Sequence, residues 1–246
     1  MELGLIIGIA AGLAVLAFLS GMLGLGVAFA AVPFLGLFFA DLVHEVQPLS
    51  LILNGVTALF SAVGFAQSRH VAWRRAWTLA GITTVSAPAG AQLAMVIDEQ
   101  WIWIVYFAAV AFLAFRLFRP TKERPGAERF GLAAVLAVPI AMLGGLLGVG
   151  PGFLLLPTLI VLGFEAKKAA GINAIAVCPP SFSALSPHIG TAKIDPTLAL
   201  VLVVVGSAMA FAGARVTSLY VPDRRLKQGF GVLLVIMTAY RVVTLL

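Results

Sequence analysis

Between its charged residues the chain leaves eight uninterrupted stretches, 3–40, 46–68, 76–97, 100–115, 130–164, 169–192, 196–214 and 228–240. Most of them reach the ~17–25 apolar residues that cross a bilayer as one helix. Only 11% of the residues are charged and 61% are hydrophobic, against about 25% charged in an average soluble domain. That leaves too little polar surface to cover even one soluble domain. A soluble enzyme, a disordered chain, a coiled coil and a secreted disulfide scaffold are excluded. The expectation is an all-α polytopic membrane protein of about 8–10 membrane segments, with the lipid bilayer as its first partner.

The net charge is +6 with a pI near 10. In a membrane chain this excess reflects the Lys/Arg bias of cytoplasmic loops. No basic helix face interleaved with exposed aromatics argues for nucleic acid, which is not an expected partner. Cys178 is the single cysteine, so no intrachain disulfide can form, and it reads as a small buried residue ahead of Pro179 and Pro180. The start MELGLII has no basic n-region, so residues 3–19 read as a retained membrane segment rather than a cleaved signal. No cofactor or metal is expected.

Two stretches repeat one another. At an offset of 124, Gly21, Gly24, Gly26 and Pro33 fall on Gly145, Gly148, Gly150 and Pro157. Downstream, Asn54-Gly answers Asn173-Ala, Gly90-Ala-Gln-Leu answers Gly213-Ala-Arg-Val, and Arg116 answers Arg241. The basic stretch from Arg116 to Arg129 is the only hydrophilic linker of any length. The chain therefore reads as two homologous halves, 1–119 and 129–246, joined by the linker 120–128.

The first run of each half, 38 and 35 residues long, exceeds one span and is broken by its glycines. If each such run crosses an even number of times, as two spans or as a re-entrant hairpin, the halves are inverted. Arg69, Arg74, Arg75, Arg116, Arg119, Lys122, Arg124, Arg129, Lys167, Lys168, Arg224, Arg225 and Lys227 then share the cytoplasmic side, with Lys193 and Arg241 opposite. That is thirteen against two. A single crossing per run gives ten against five, so the positive-inside rule favours inversion. The remaining spans are expected near 48–66, 77–97, 101–118, 168–186, 196–220 and 228–246.

Residues 20–26 and 145–151 are almost wholly apolar, which is odd for loops in water. Irregular backbone at membrane depth is tolerated where it is buried in protein or lines an aqueous cavity. Paired Gly-broken segments in matching positions of two halves point to a transporter site near the midplane. Glycine lets backbone N–H groups turn toward a ligand, and a following helix presents its positive dipole end. Gly24, Gly26 and Val27, with Gly148, Gly150 and Gly152, are thus candidate ligands for a small anion. The competing reading is that these glycines only allow close helix packing.

Two copies of Gly-x-x-Gly-x-Gly…Pro, each followed by an Asn-containing helix, resemble the sulfite exporter TauE/SafE family of membrane permeases. The stretch Gly-Thr-Ala-Lys-Ile-Asp at 190–195 also looks like a family feature. The resemblance covers about residues 5–244. It implies transport of sulfur-containing anions such as sulfite, sulfonates or sulfoacetate across a prokaryotic inner membrane, with linker 116–129 cytoplasmic. It marks Gly24, Gly26, Pro33, Asn54, Gly148, Gly150, Pro157 and Asn173. The first copy departs in reading Gly-Leu-Gly-Val-Ala-Phe, where the family tends to carry more glycine, and Val71-Ala-Trp replaces a Val-Asp-Trp type of turn.

Asn54 and Asn173 lie in apolar runs at equivalent positions, where they either bond between helices or orient a shared ligand. Arg215 is an intramembrane charge that could hold an anion or snorkel to the interface. It is also the one clear charge inside a run, so proton coupling has no support. His188 reads as an interfacial residue or a proton-coupling group. Ser181, Ser183 and Ser186 beside it suggest an intramembrane protease, but no G-x-S-x-G elbow surrounds them. The expected activity is non-enzymatic: an alternating-access anion permease, with a passive anion channel as the rival. Nothing specifies the oligomeric state, and an oligomer is compatible with the sequence.

Overall fold

The computed structural model describes residues 3–69, 71–98, 100–105, 108 and 128–222. These residues contain no strand. Eight helices are defined: α1 (Leu3–Leu23), α2 (Ala28–Leu35), α3 (Gln47–Ala66), α4 (Trp73–Ala94), α5 (Phe130–Leu146), α6 (Gly152–Val161), α7 (Ala166–Ala184) and α8 (Pro196–Tyr220). A π-helical turn (Leu42–Val46) leads into α3, a 3₁₀ turn (Ser186–His188) follows α7, and residues 100–105 are helical. The segments Gly4–Leu23, Leu42–Ala66, Ala166–His188 and Pro196–Tyr220 are long and apolar enough to cross a membrane. The protein is an all-α polytopic membrane protein.

The expected span 77–97 begins earlier, at Trp73. Arg74 and Arg75 lie in the first turn of α4, which therefore continues past the edge of the apolar stretch. At 22 residues α4 is long enough to span, but Thr78, Thr83, Thr84 and Ser86 make it less apolar than its neighbours. The expected span 228–246, most of 101–118, and the linker apart from Glu128 and Arg129 lie outside the described residues. So do Arg116, Arg119, Lys122, Arg124, Arg224, Arg225, Lys227 and Arg241 of the charge count.

Helices α1 and α5 end in the same way. Leu25 N–H donates to the Ser20 carbonyl and Gly24 N–H to that of Gly21, both at 3.1 Å; Val149 donates to Gly144 and Gly148 to Gly145 at the same distances. This paired pattern is the Schellman stop, which needs a left-handed residue just past the helix. Gly24 (φ +63°) and Gly148 (φ +66°) supply it, and Gly26 (+70°) and Gly150 (+68°) complete the turn.

Beyond each stop the chain folds back on itself. The Phe34 ring of α2 lies in the space that a Cβ at Gly12 of α1 would fill. Arg129, just before α5, donates its N–H to the carbonyl of Leu162, just after α6, at 3.1 Å. Each broken run is therefore a hairpin that returns toward the end it came from, not a pair of full spans.

Helix directions follow from the contacts. Gly206 of α8 packs on Leu13 and Ala17, and Gly213 on the backbone of Phe18 and Met22, so α1 and α8 run the same way. Thr57 against Gly206 and Gly64 against Ala214 align α3 with them. Thr83 of α4 bonds to the Ala176 carbonyl, and Ser183 to that of Thr84, so α4 and α7 run together. Asn54 meets Ser181 while Leu51 joins the apolar cluster of Ala184, which sets α3 antiparallel to α7. The matching helices α3 and α7 thus point in opposite directions.

The two ends differ in charge. At one end Lys193 N–H donates to the His44 carbonyl at 2.7 Å and its Nζ reaches Asp41 at 3.4 Å. At the other end Glu128 joins Arg75 and, at 2.7 Å, Lys168. Arg75 also lies over the rings of Phe130 and Phe164 at 5.7 and 5.4 Å. This cluster ties α4, α5 and α7 together where the second hairpin opens.

Candidate functional site

The two glycine breaks meet in the protein interior. A Cβ at Gly152 would strike the carbonyl of Leu25, and the rings of Phe29 and Phe153, the second residues of α2 and α6, stack at 5.9 Å. Close approach of two backbones at this point requires residues without side chains.

Asn54 of α3 sits between the breaks. Its Oδ1 accepts the Ala28 N–H at 3.0 Å, and its Nδ2 donates to Ser181 Oγ at 2.9 Å. Gly26 on one side and Gly150 on the other lack the Cβ that would collide with this amide. One turn along, Thr57 Oγ1 accepts the Val27 N–H at 3.1 Å while donating to the Leu53 carbonyl at 2.7 Å. Two side chains of α3 thereby cap the start of α2, whose first N–H groups have no partner inside the helix.

Asn173 of α7 behaves differently. Its Nδ2 donates to the Gly24 carbonyl at 2.8 Å, while its Oδ1 has no partner among the described residues. The second hairpin cannot copy the Thr57–Val27 half of the α3 cap, because Pro151, which matches Val27, has no N–H and Ala176 stands where the first half has Thr57. Ser20 Oγ, Ser50 Oγ and Gln47 Oε1 are likewise buried and have no partner among the described residues. Each such atom costs about 1–3 kcal/mol, so these positions call for water or a ligand.

The structure brings Gly24, Gly26, Val27, Asn54, Gly150, Gly152 and Asn173 together. Gly148 stands one step away, against the Gln47 side chain. Pro33 and Pro157 are buried within the bodies of α2 and α6. Arg215 is elsewhere: it reaches Ser68 Oγ at 3.2 Å, and Ser68 bonds to Ser218 at 2.9 Å, at the end of the molecule rich in Arg and Lys. The N–H groups of Gly24, Leu25, Val27, Gly148, Val149 and Gly150 are engaged within the protein. In this conformation the capping side chains occupy much of what an anion would use.

Sequence reasoning missed Thr57, Gln47 and Ser50, although the spacing of the polar residues along α3 carried the signal, and it weighed Ser181 only as a protease residue. The serine-protease reading finds no support in the geometry. Ser181 donates to the Val177 carbonyl, Ser183 to Thr84 and Ser186 to Ser183, and none of them pairs with His188 among the described residues. No group of three or more His, Cys, Asp or Glu among the described residues could hold a metal ion.

Asp41, just outside the candidate span Leu42–Ala66, caps the π-helical turn that opens it. It accepts from His44 N–H and Nδ1, each at 2.9 Å. Burial pushes its carboxyl toward a higher pKa, but the His44 hydrogen bonds and charge, with help from Lys193, outweigh that and hold it below the usual carboxylate value.

The profile of the sulfite exporter TauE/SafE family matches residues 8–241. Probable membrane transporter proteins of Xylella fastidiosa, from strains Temecula1 and 9a5c, are each 28% identical to the chain over 167 residues, which is 64% of this chain and 62% of theirs. The chain thus spans less than two thirds of the length of these relatives. No solved structure matches it. With two glycine-stopped hairpins meeting around Asn54, and a family match over nearly its whole length, the chain belongs to the sulfite exporter TauE/SafE family.

Proposed function

We propose that the protein is a permease for small sulfur-containing oxyanions or organosulfonates, of the sulfite or sulfoacetate type, working by alternating access. The observation that carries this reading is the contact of the two breaks around buried amides: Asn54 between Gly26 and Gly150, and Asn173 on the Gly24 carbonyl. Neutral N–H and hydroxyl donors at a helix start suit an oxyanion. Ala28 and Val27 would give up Asn54 and Thr57 in exchange for the substrate oxygens, so binding and opening of the hairpin tips are one event.

Hairpins that return to opposite ends give each side its own gate. The halves then rock about the α3–α7 contact, and the protein is a transporter rather than an enzyme. The basic end, with linker 116–129, faces the cytoplasm of a prokaryotic inner membrane, following the charge bias of such loops.

Counterflow of radiolabelled sulfite, sulfoacetate and sulfate in proteoliposomes tests this. The permease predicts saturable exchange that falls with Asn54→Asp. A current with an anion reversal potential and no exchange would mark a passive channel and overturn alternating access.

A further inference from the structure

Along α3, Gln47, Ser50, Asn54, Thr57 and Ser61 follow one another at intervals of three, four, three and four residues. That spacing stacks side chains on one helix face. All five are buried. Their counterparts on α7, 119 positions later, are Ala166, Ala169, Asn173, Ala176 and Pro180. The inverted partner helix therefore keeps the asparagine and loses the rest of the stripe.

Most of these side chains are already committed. Asn54 and Thr57 cap α2, and Ser61 turns back on the Thr57 carbonyl at 2.9 Å. Gln47 and Ser50, toward the Asp41–Lys193 end, are different. Ser50 Oγ and Gln47 Oε1 have no partner among the described residues. Gln47 Nε2 donates to the Leu146 carbonyl at 3.2 Å and has a second proton to offer. The second break is shaped around this stripe: a Cβ at Gly148 would lie 2.8 Å from Gln47 Cβ, and Gly150 leaves room for Asn54.

We propose that Gln47 and Ser50 form a second anion subsite, a station on a one-sided polar lane along α3 that passes a small oxyanion to and from Asn54. The proposal rests on the permease reading above. A free hydroxyl and an unused amide N–H are neutral donors for the oxygens of a sulfonate. Because α3 carries no Lys or Arg, the ion is held weakly enough to move on. Gln47 Oε1 accepts from water that travels with the ion.

The test uses the full chain in proteoliposomes with Cys178→Ala as background and sulfoacetate as the probe. Ser50→Cys and its repeat counterpart Ala169→Cys are alkylated with a maleimide. The thiol introduced at position 50 is expected to react, and saturating sulfoacetate to slow it, while the thiol at 169 stays inert. In parallel, Ser50→Ala is expected to raise the half-saturation of sulfoacetate counterflow roughly fivefold, the size of one lost hydrogen bond. An inert thiol at position 50, labelling indifferent to sulfoacetate, or an unchanged half-saturation overturns the subsite while leaving the permease intact. A wild-type protein that exchanges no sulfoacetate overturns the subsite, and one that exchanges no sulfite either overturns the permease as well.

Discussion

Phe29 and Phe153 hold the same position in the two halves, 124 residues apart, and their rings stack on each other with centroids 5.9 Å apart and planes inclined by 13°. A residue meeting its own repeat partner lies on the pseudo-symmetry axis. The same axis explains why Gly21 packs on Ala210 while Gly145 packs on Ala87, and Gly213 on Phe18 while Gly90 packs on Met142.

The stack predicts a coupling that single substitutions miss. Phe29→Ala and Phe153→Ala should each cost about 3–5 kcal/mol of stability, as for buried aromatics generally. The double variant should cost less than the sum by about 0.5–1.5 kcal/mol, the contribution of the ring pair itself. A denaturation cycle in detergent checks this, and strict additivity would rule out the stack.

Gly24 and Gly148 should respond differently to the same change. Both have positive φ, so alanine costs about 1–2 kcal/mol at either from the backbone alone. At Gly24 the new methyl meets the Ala170 carbonyl, which cannot retreat; at Gly148 it meets the Gln47 side chain. Gln47→Ala should therefore relieve part of the loss in Gly148→Ala and none of that in Gly24→Ala. Thermal unfolding of the four variants reads this out, and equal rescue at both sites would contradict the assigned neighbours.

Asn54→Asp keeps the acceptor for Ala28 but places a negative charge between the breaks. The fold should survive, with helical content unchanged by circular dichroism. Anion exchange should fall by about tenfold or more, the effect of roughly 1.4 kcal/mol at the barrier. Asn173→Asp faces no capping duty on α2. If Asn54→Asp transported normally, Asn54 would be a structural cap only.

Asp41 gives a pH dependence. Its native pKa is lowered, so its contribution is present above the ordinary carboxylate value and disappears as pH falls through the lower native one. The side chain is about a third exposed, so the contribution is modest. Wild type should be more stable than Asp41→Asn near neutral pH, and the gap should close in acid. A gap that persisted once pH had fallen below the carboxylate range would refute the cap.

How much of this was legible in the sequence depended on the residue. Gly24, Gly26, Gly148 and Gly150 stood out because their repeat is spaced identically, and all four are left-handed. Gly21 and Gly145 belong to the same motif but serve helix packing, a distinction that needs the neighbouring backbone. Whether the broken runs span or return turned on the bond between Arg129 and Leu162, which no spacing encodes. Thr57, and the pairing of Ser181 with Asn54, were hidden because a single hydroxyl in an apolar run usually bonds its own helix, as both also do. Arg215 drew attention as a charge within a run, yet it extends toward Ser68 at the basic end.

The central claim is that the hairpin tips must part for an anion to pass. Phe29→Cys and Phe153→Cys, combined in the Cys178→Ala background, place two thiols across that contact. A short, reducible bis-thiosulfonate cross-linker should stop sulfoacetate counterflow in proteoliposomes, and dithiothreitol should restore it. Counterflow that continues undiminished in fully cross-linked protein would contradict the account.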